Sequence, residues 1–203
     1  MTEPLLTSIS YYLHYAFFNG EVLPKLKDTI DEIQELQSFN TNVLLVINKV
    51  ILNLTDESAE GTGNLLRSLD FNIEHEIKQP ITVVRILTIC AIVSYSFNEY
   101  EVALKHLDVI RKIGTPFTFH HAICIFYHAL VLLELARNKK DNITCIKNAE
   151  ECISILRSIS KNAPSNFDNK VSLLEAELFS LCSNLSQAKS CYDLSIALSK
   201  SMV

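Results

Sequence analysis

Six histidines and six cysteines carry most of the chemistry open to this 203-residue chain. His120, His121 and His128 lie on or just before an apolar helical stretch, and His121 and His128, seven apart, can share a face. Two imidazoles fall short of a metal site, so core or helix-boundary histidines are the expectation and no metal is assigned. Cys145 and Cys152 have the same spacing, again with nothing near them to complete a site. The cysteines are scattered through apolar segments without a C-x-x-C, which suits reduced core thiols of a cytosolic protein. Glu175 and Glu177 are two apart on a helical pattern and do not face each other, so paired-carboxylate catalysis is not expected. Serine is abundant, but no G-x-S-x-G accompanies it. Of the four glycines only Gly61 and Gly63 stand close, and that pair lacks the third glycine or the Lys-Ser/Thr of a phosphate-binding loop, so no cofactor is expected. One local run stands apart: Asn72-Ile-Glu-His75-Glu76-Ile-Lys-Gln-Pro80-Ile-Thr82, a histidine between two glutamates and upstream of a proline.

Composition limits the partners. Hydrophobic content is 48% with five prolines, which fits an ordered, helix-rich chain. The net charge of -5, with no basic run, argues against a nucleic-acid surface. The start lacks a basic segment before its apolar residues, so no signal peptide is expected and the location is read as cytoplasmic. Mean hydropathy is +0.19, yet Ile81 to Phe97 contains Arg85 and Ala122 to Leu133 is short with His128 inside. A charge at the centre of a spanning helix costs about 2.5–3.5 kcal/mol, and neither run reaches the length that a span needs. Helices buried on several sides explain both runs without membrane insertion.

The elements that must position these residues read as antiparallel helical hairpins. The clearest is near the end. Val171, Leu174, Leu178 and Leu181 share one helical face, with Asp168 or Asn169 as its cap. Ser183-Asn184 breaks the helix, Ser186 can cap the next, and Ala188, Tyr192, Ser195 and Leu198 recur at helical spacing. Small residues at Ala176, Ala188 and Ser195 let the two backbones approach. Earlier stretches repeat the arrangement, giving hairpins near 4–38, 42–78, 80–113, 118–160 and 168–200. In the third, Tyr100, Ala103, Leu107 and Ile110 form the inner face, closed by Gly114 and Pro116. Lys139-Lys140 reads as a polar joint, and Glu57 to Asn64 is the one candidate boundary in an otherwise single domain, 1–203. First helices thus begin near 4, 42, 80, 118 and 168, about 38 residues apart and about 50 at the last step. A repeat of this length implies stacked helix-turn-helix units. The expected fold is all-α: a right-handed α-solenoid of about five tetratricopeptide-like hairpins, monomeric.

Two runs carry a family resemblance. Pro164-Ser-Asn-Phe-Asp-Asn-Lys170, Leu173-Leu-Glu-Ala-Glu-Leu178, Ala188 and Cys191-Tyr-Asp-Leu-Ser-Ile-Ala-Leu198 resemble the helical-repeat region of large multidomain hybrid sensor histidine kinases, fungal and bacterial. Phe97-Asn-Glu-Tyr-Glu-Val-Ala-Leu104 and Phe126-Tyr-His-Ala-Leu130 fit the same pattern. In that family the repeats follow a protein-kinase-like domain and an ATPase domain. Asn169 stands where the family usually has His, and Ser195 where it has Ala. These are packing motifs, and what they imply is a repeat fold in a signalling context.

The Asn72–Thr82 run resembles the phosphoacceptor box of the same kinases. The resemblance implies that His75 attacks a γ-phosphate through an imidazole nitrogen, that Glu76 positions or deprotonates the ring, and that Pro80 bends the helix. A proline inside a helix costs about 3 kcal/mol, whereas at a first helical position it is nearly free. The residue before a proline also avoids the α region, so Gln79 suits a helix boundary. On that alternative Glu74-His75-Glu76 is a solvated helix end. The chain is therefore expected to be a non-catalytic protein-interaction or signal-coupling module whose partner is a protein or neighbouring domain. A histidine phosphoacceptor and dimerisation module phosphorylated in trans at His75 is the second reading. A truncated fragment without independent function is the third.

Overall fold

A computed structural model of the protein describes residues 80–114, 119–138 and 143–201. These residues form six α-helices and no strand: α1 Pro80–Ser96, α2 Tyr100–Ile113, α3 Phe119–Asn138, α4 Ile143–Ser160, α5 Pro164–Leu181 and α6 Leu185–Lys200. The expected hairpins near 4–38 and 42–78, the Glu57 to Asn64 loop, Pro116 and the Lys139-Lys140 joint lie outside the described residues. Two compact units part between Phe97 and Asn98, so the expected third hairpin contributes α1 to one unit and α2 to the other.

In the first unit, α1 is buried without a break from Val83 to Ser94. That continuity explains why PITVVRILTICAIVSYS shows so little alternation of apolar and polar residues. Hydroxyls of this helix bond back one turn, which spares buried Thr88 a burial penalty. Thr88 Oγ1 donates to the Val84 carbonyl at 2.6 Å and Ser96 Oγ to that of Ile92 at 2.9 Å. Burial pushes the Cys90 thiol up to about 12, so it stays protonated and packs as an apolar residue. No helix among the described residues is long and apolar enough to cross a membrane.

Among the described residues of the second unit each helix packs on its sequential neighbour from α2 to α6, and α3 also packs on α5. Among the described residues α2, α4 and α5 all pack on helix α3, and most of its positions are buried. Ile123, Leu133 and Leu135 are among the most buried side chains. Helix α2 has a single buried face of Ala103, Leu107 and Ile110, as its spacing predicts. It ends at Gly114, whose φ of 66° is left-handed and open to glycine at little cost.

Two expectations about helix starts need correction. Helix α5 begins at Pro164, four residues before the expected start, and Asp168 and Asn169 lie inside it rather than capping it. Proline at a first helical position is pre-set in φ and lacks only an N–H that would have had no partner, so the helix can start there without a side-chain cap. Asp168 is instead engaged by the hydroxyl of buried Ser160 on α4. Helix α6 is capped by Asn184, not Ser186: its Oδ1 accepts the Gln187 amide at 3.4 Å while its Nδ2 donates to the Gln187 side chain. The same asparagine closes α5. Its amide reaches the Phe179 carbonyl at 2.8 Å and the Ser183 amide reaches that of Ser180 at 3.1 Å, with Ser183 at φ 60°. This is a Schellman closure merged with an N-cap, and it reverses the chain in very few residues.

Candidate functional site

Three helices of the second unit build one cleft by the same register. Helix α2 supplies Leu107, Ile110, Arg111 and the capping Gly114; α3 supplies His121, Cys124, Ile125 and His128; α4 supplies Asn148, Glu151, Cys152 and Ile155. In each case the residues stand at i, i+3, i+4 and i+7, which is one face of a helix. The cavity has a volume of about 320 Å³. Its walls are mixed: aliphatic side chains and two cysteines alternate with His121, His128 and Asn148, while Arg111 and Glu151 are exposed.

Burial favours the neutral forms of the two imidazoles and of Cys152 in this cleft. Burial holds both imidazoles below their ordinary value. For His128 the neighbouring Arg111 acts in the same sense, and Asp108 opposes it. The Asp108 Oδ1 lies 4.0 Å from His128 Nε2, beyond hydrogen-bond reach. Burial pushes the Cys152 thiol up to about 11, with Glu151 adding to the effect, so no nucleophilic thiolate forms there at neutral pH. No group of three or more His, Cys, Asp or Glu among the described residues could hold a metal ion.

Of the residues singled out in the sequence, His121 and His128 are brought together in the cleft, and Cys152 joins them from α4. Cys145 does not line it, and His120 is buried at 3% exposure. His75 and Glu76 lie outside the described residues. Glu175 and Glu177 take different partners: Arg157 of α4 binds Glu175, while Arg137 of α3 binds Glu177 and Glu134 together. Tyr192 of α6 hydrogen-bonds Glu177, and its hydroxyl is pushed up to about 12, by burial first and then by that carboxylate. These are ties between helices rather than an acid–base pair.

Two residues unremarkable as chemistry prove to be neighbours. Ser195 Oγ donates to the backbone carbonyl of Asn169 at 2.8 Å, and the Asn169 side chain donates to Ser199 Oγ at 3.1 Å. Asn169 and Ser195 therefore meet across the α5–α6 seam. Sequence reasoning missed Arg111, Asn148 and Glu151 as cleft residues. The i, i+3, i+4, i+7 register of α4 was the available signal, but it needed α3 to be known as its neighbour. No protein-family model, no curated protein and no solved structure matches this chain.

Proposed function

We propose that this chain is a right-handed α-solenoid of tetratricopeptide-like hairpins that serves as a non-catalytic interaction and signal-coupling module. The observation that carries the reading is the packing order. Helices pair within α3–α4 and within α5–α6, and α5 lies on both helices of the preceding pair. A first helix packed on both members of the hairpin before it is how such repeats propagate. The resemblance of Pro164 to Leu198 to the repeat region of hybrid sensor histidine kinases supplies the context, two-component signalling; composition adds a cytoplasmic location, and the module is a monomer whose partner is a protein or neighbouring domain.

The test is selection of binders to the full chain from a random-peptide library, followed by hydrogen-exchange mapping. The expected result is a shared motif whose synthetic peptide binds saturably and protects residues in both the α3–α4 and α5–α6 hairpins. Failure to enrich any motif, or protection confined to a single helix, contradicts the proposal.

The Asn72–Thr82 run favours a second reading, in which His75 accepts phosphate from a separate kinase. Acid-labile phosphate on the full chain, lost in His75→Gln after incubation with histidine kinases and ATP, supports it. Labelling that persists in His75→Gln excludes His75 as the acceptor.

A further inference from the structure

We propose that the cleft bounded by α2, α3 and α4 binds a small uncharged ligand: an apolar ring or branched body with one hydrogen-bonding heteroatom that meets the His128 imidazole. The inference stands whether or not the repeat stack binds peptides.

Size comes first. The volume of about 320 Å³ lies at the lower end of the range for ligand sites, roughly 300–1,000 Å³. That volume is enough for a fused-ring fragment and too little for a nucleotide or a folded peptide. Charge comes second. Arg111 and Glu151 are of opposite sign and both are exposed, and Asp108 stands 4.0 Å from His128, so no single-sign cluster of charge selects an ionised ligand. Leu107, Ile110, Cys124, Ile125 and Cys152 give a wall that rewards an apolar body.

The third observation points to the heteroatom. His128 is 8% exposed, lines the cleft, and its ring makes no hydrogen bond to a described residue; Asp108 Oδ1 is 4.0 Å away. The ring nitrogens are not among the buried polar atoms left without a partner, so they reach the solvent of the cleft, and a ligand heteroatom can take the place of that water. The wall that faces the ring carries Asp108 and Arg111 from α2, His121 and Cys124 from α3, and Glu151 and Cys152 from α4. Ile155 of α4 also lines the cleft, and it keeps 37% of its surface in solvent.

The experiment uses the full chain and a neutral phenylnaphthylamine probe, whose fluorescence rises in apolar surroundings and whose amine can reach an imidazole. The expected result is saturable enhancement at one site per chain. Ile155→Trp, which plugs the opening from a partly exposed position, reduces affinity at least tenfold. His128→Phe keeps the ring volume and removes the nitrogens, and it weakens binding about fivefold, the worth of one hydrogen bond. Circular dichroism establishes that each variant is folded, and Asn148→Trp serves as a second plug if either fails. No saturable binding, or binding unchanged by a folded plug variant, overturns the proposal. Full affinity in folded His128→Phe overturns the assignment of the heteroatom contact.

Discussion

Leu174→Ala probes the packing on which the repeat reading rests. Leu174 is fully buried, at 0% exposure, in α5, the helix that touches α3, α4 and α6. Removing three side-chain carbons from such a site costs about 2–5 kcal/mol, as lost transfer energy plus an unfilled cavity, and a site held by three helices collapses poorly. We take about 3 kcal/mol. With a urea slope of about 2 kcal/mol per molar, the unfolding midpoint falls by about 1.5 M. The chain has no tryptophan, so far-ultraviolet circular dichroism is the natural probe. Leu181→Ala is the internal control: the sequence places it on the same stripe, but it is only half-buried at the end of α5 and costs about 1 kcal/mol. A shift below about 0.5 M for Leu174→Ala, or equal shifts for the two variants, refutes the reasoning.

Four further outcomes follow from the same structure. Ser183→Gly stabilises by about 1 kcal/mol, because a serine at φ 60° bears a backbone strain that glycine does not; thermal unfolding reads it. Ser195→Ala costs about 1 kcal/mol, since its buried hydroxyl loses the bond to Asn169, and chemical denaturation measures the loss. Stability falls as pH drops below about 6.5: burial lowers the folded pKa of His106, His121 and His128, so protons bind the unfolded chain more readily, and the loss runs from that value down through the folded pKa. Urea midpoints at two pH values show this, and His128→Phe flattens the dependence. Lys170 is buried and held down to about 8 by that burial, so Lys170→Met is neutral or stabilising at pH 7, and the native protein gains stability as pH rises from about 8 toward 10.5.

The sequence was informative wherever punctuation and amphipathicity coincide. Helix α2 runs Tyr100–Ile113 as its pattern predicts, since Asn98-Glu99 and Gly114 bracket a clean apolar face. The Ser183-Asn184 break was legible for the same reason. The two misplaced starts share a cause, which is competition among several polar residues able to cap. Asp168, Asn169 and Ser186 all have the chemistry, but Pro164 and the merged turn at Asn184 set the boundaries. Helix α3 gave a composition without a face, because α2, α4 and α5 all pack on it and most of its positions are buried. The cleft was half-visible. The seven-residue spacing of His121 and His128 put them on one face, while α4 had no feature to announce that its Asn148–Ile155 face lies opposite.

Native-state hydrogen exchange of the full chain across a low-denaturant series tests the stacked-hairpin account most directly. If hairpins contact mainly their neighbours, α5 and α6 open together with a smaller free energy and denaturant slope than α3, which keeps its protection in that opening. If every amide from α2 to α6 instead exchanges through one opening with a single free energy and slope, the second unit is an indivisible globule and the repeat reading is contradicted.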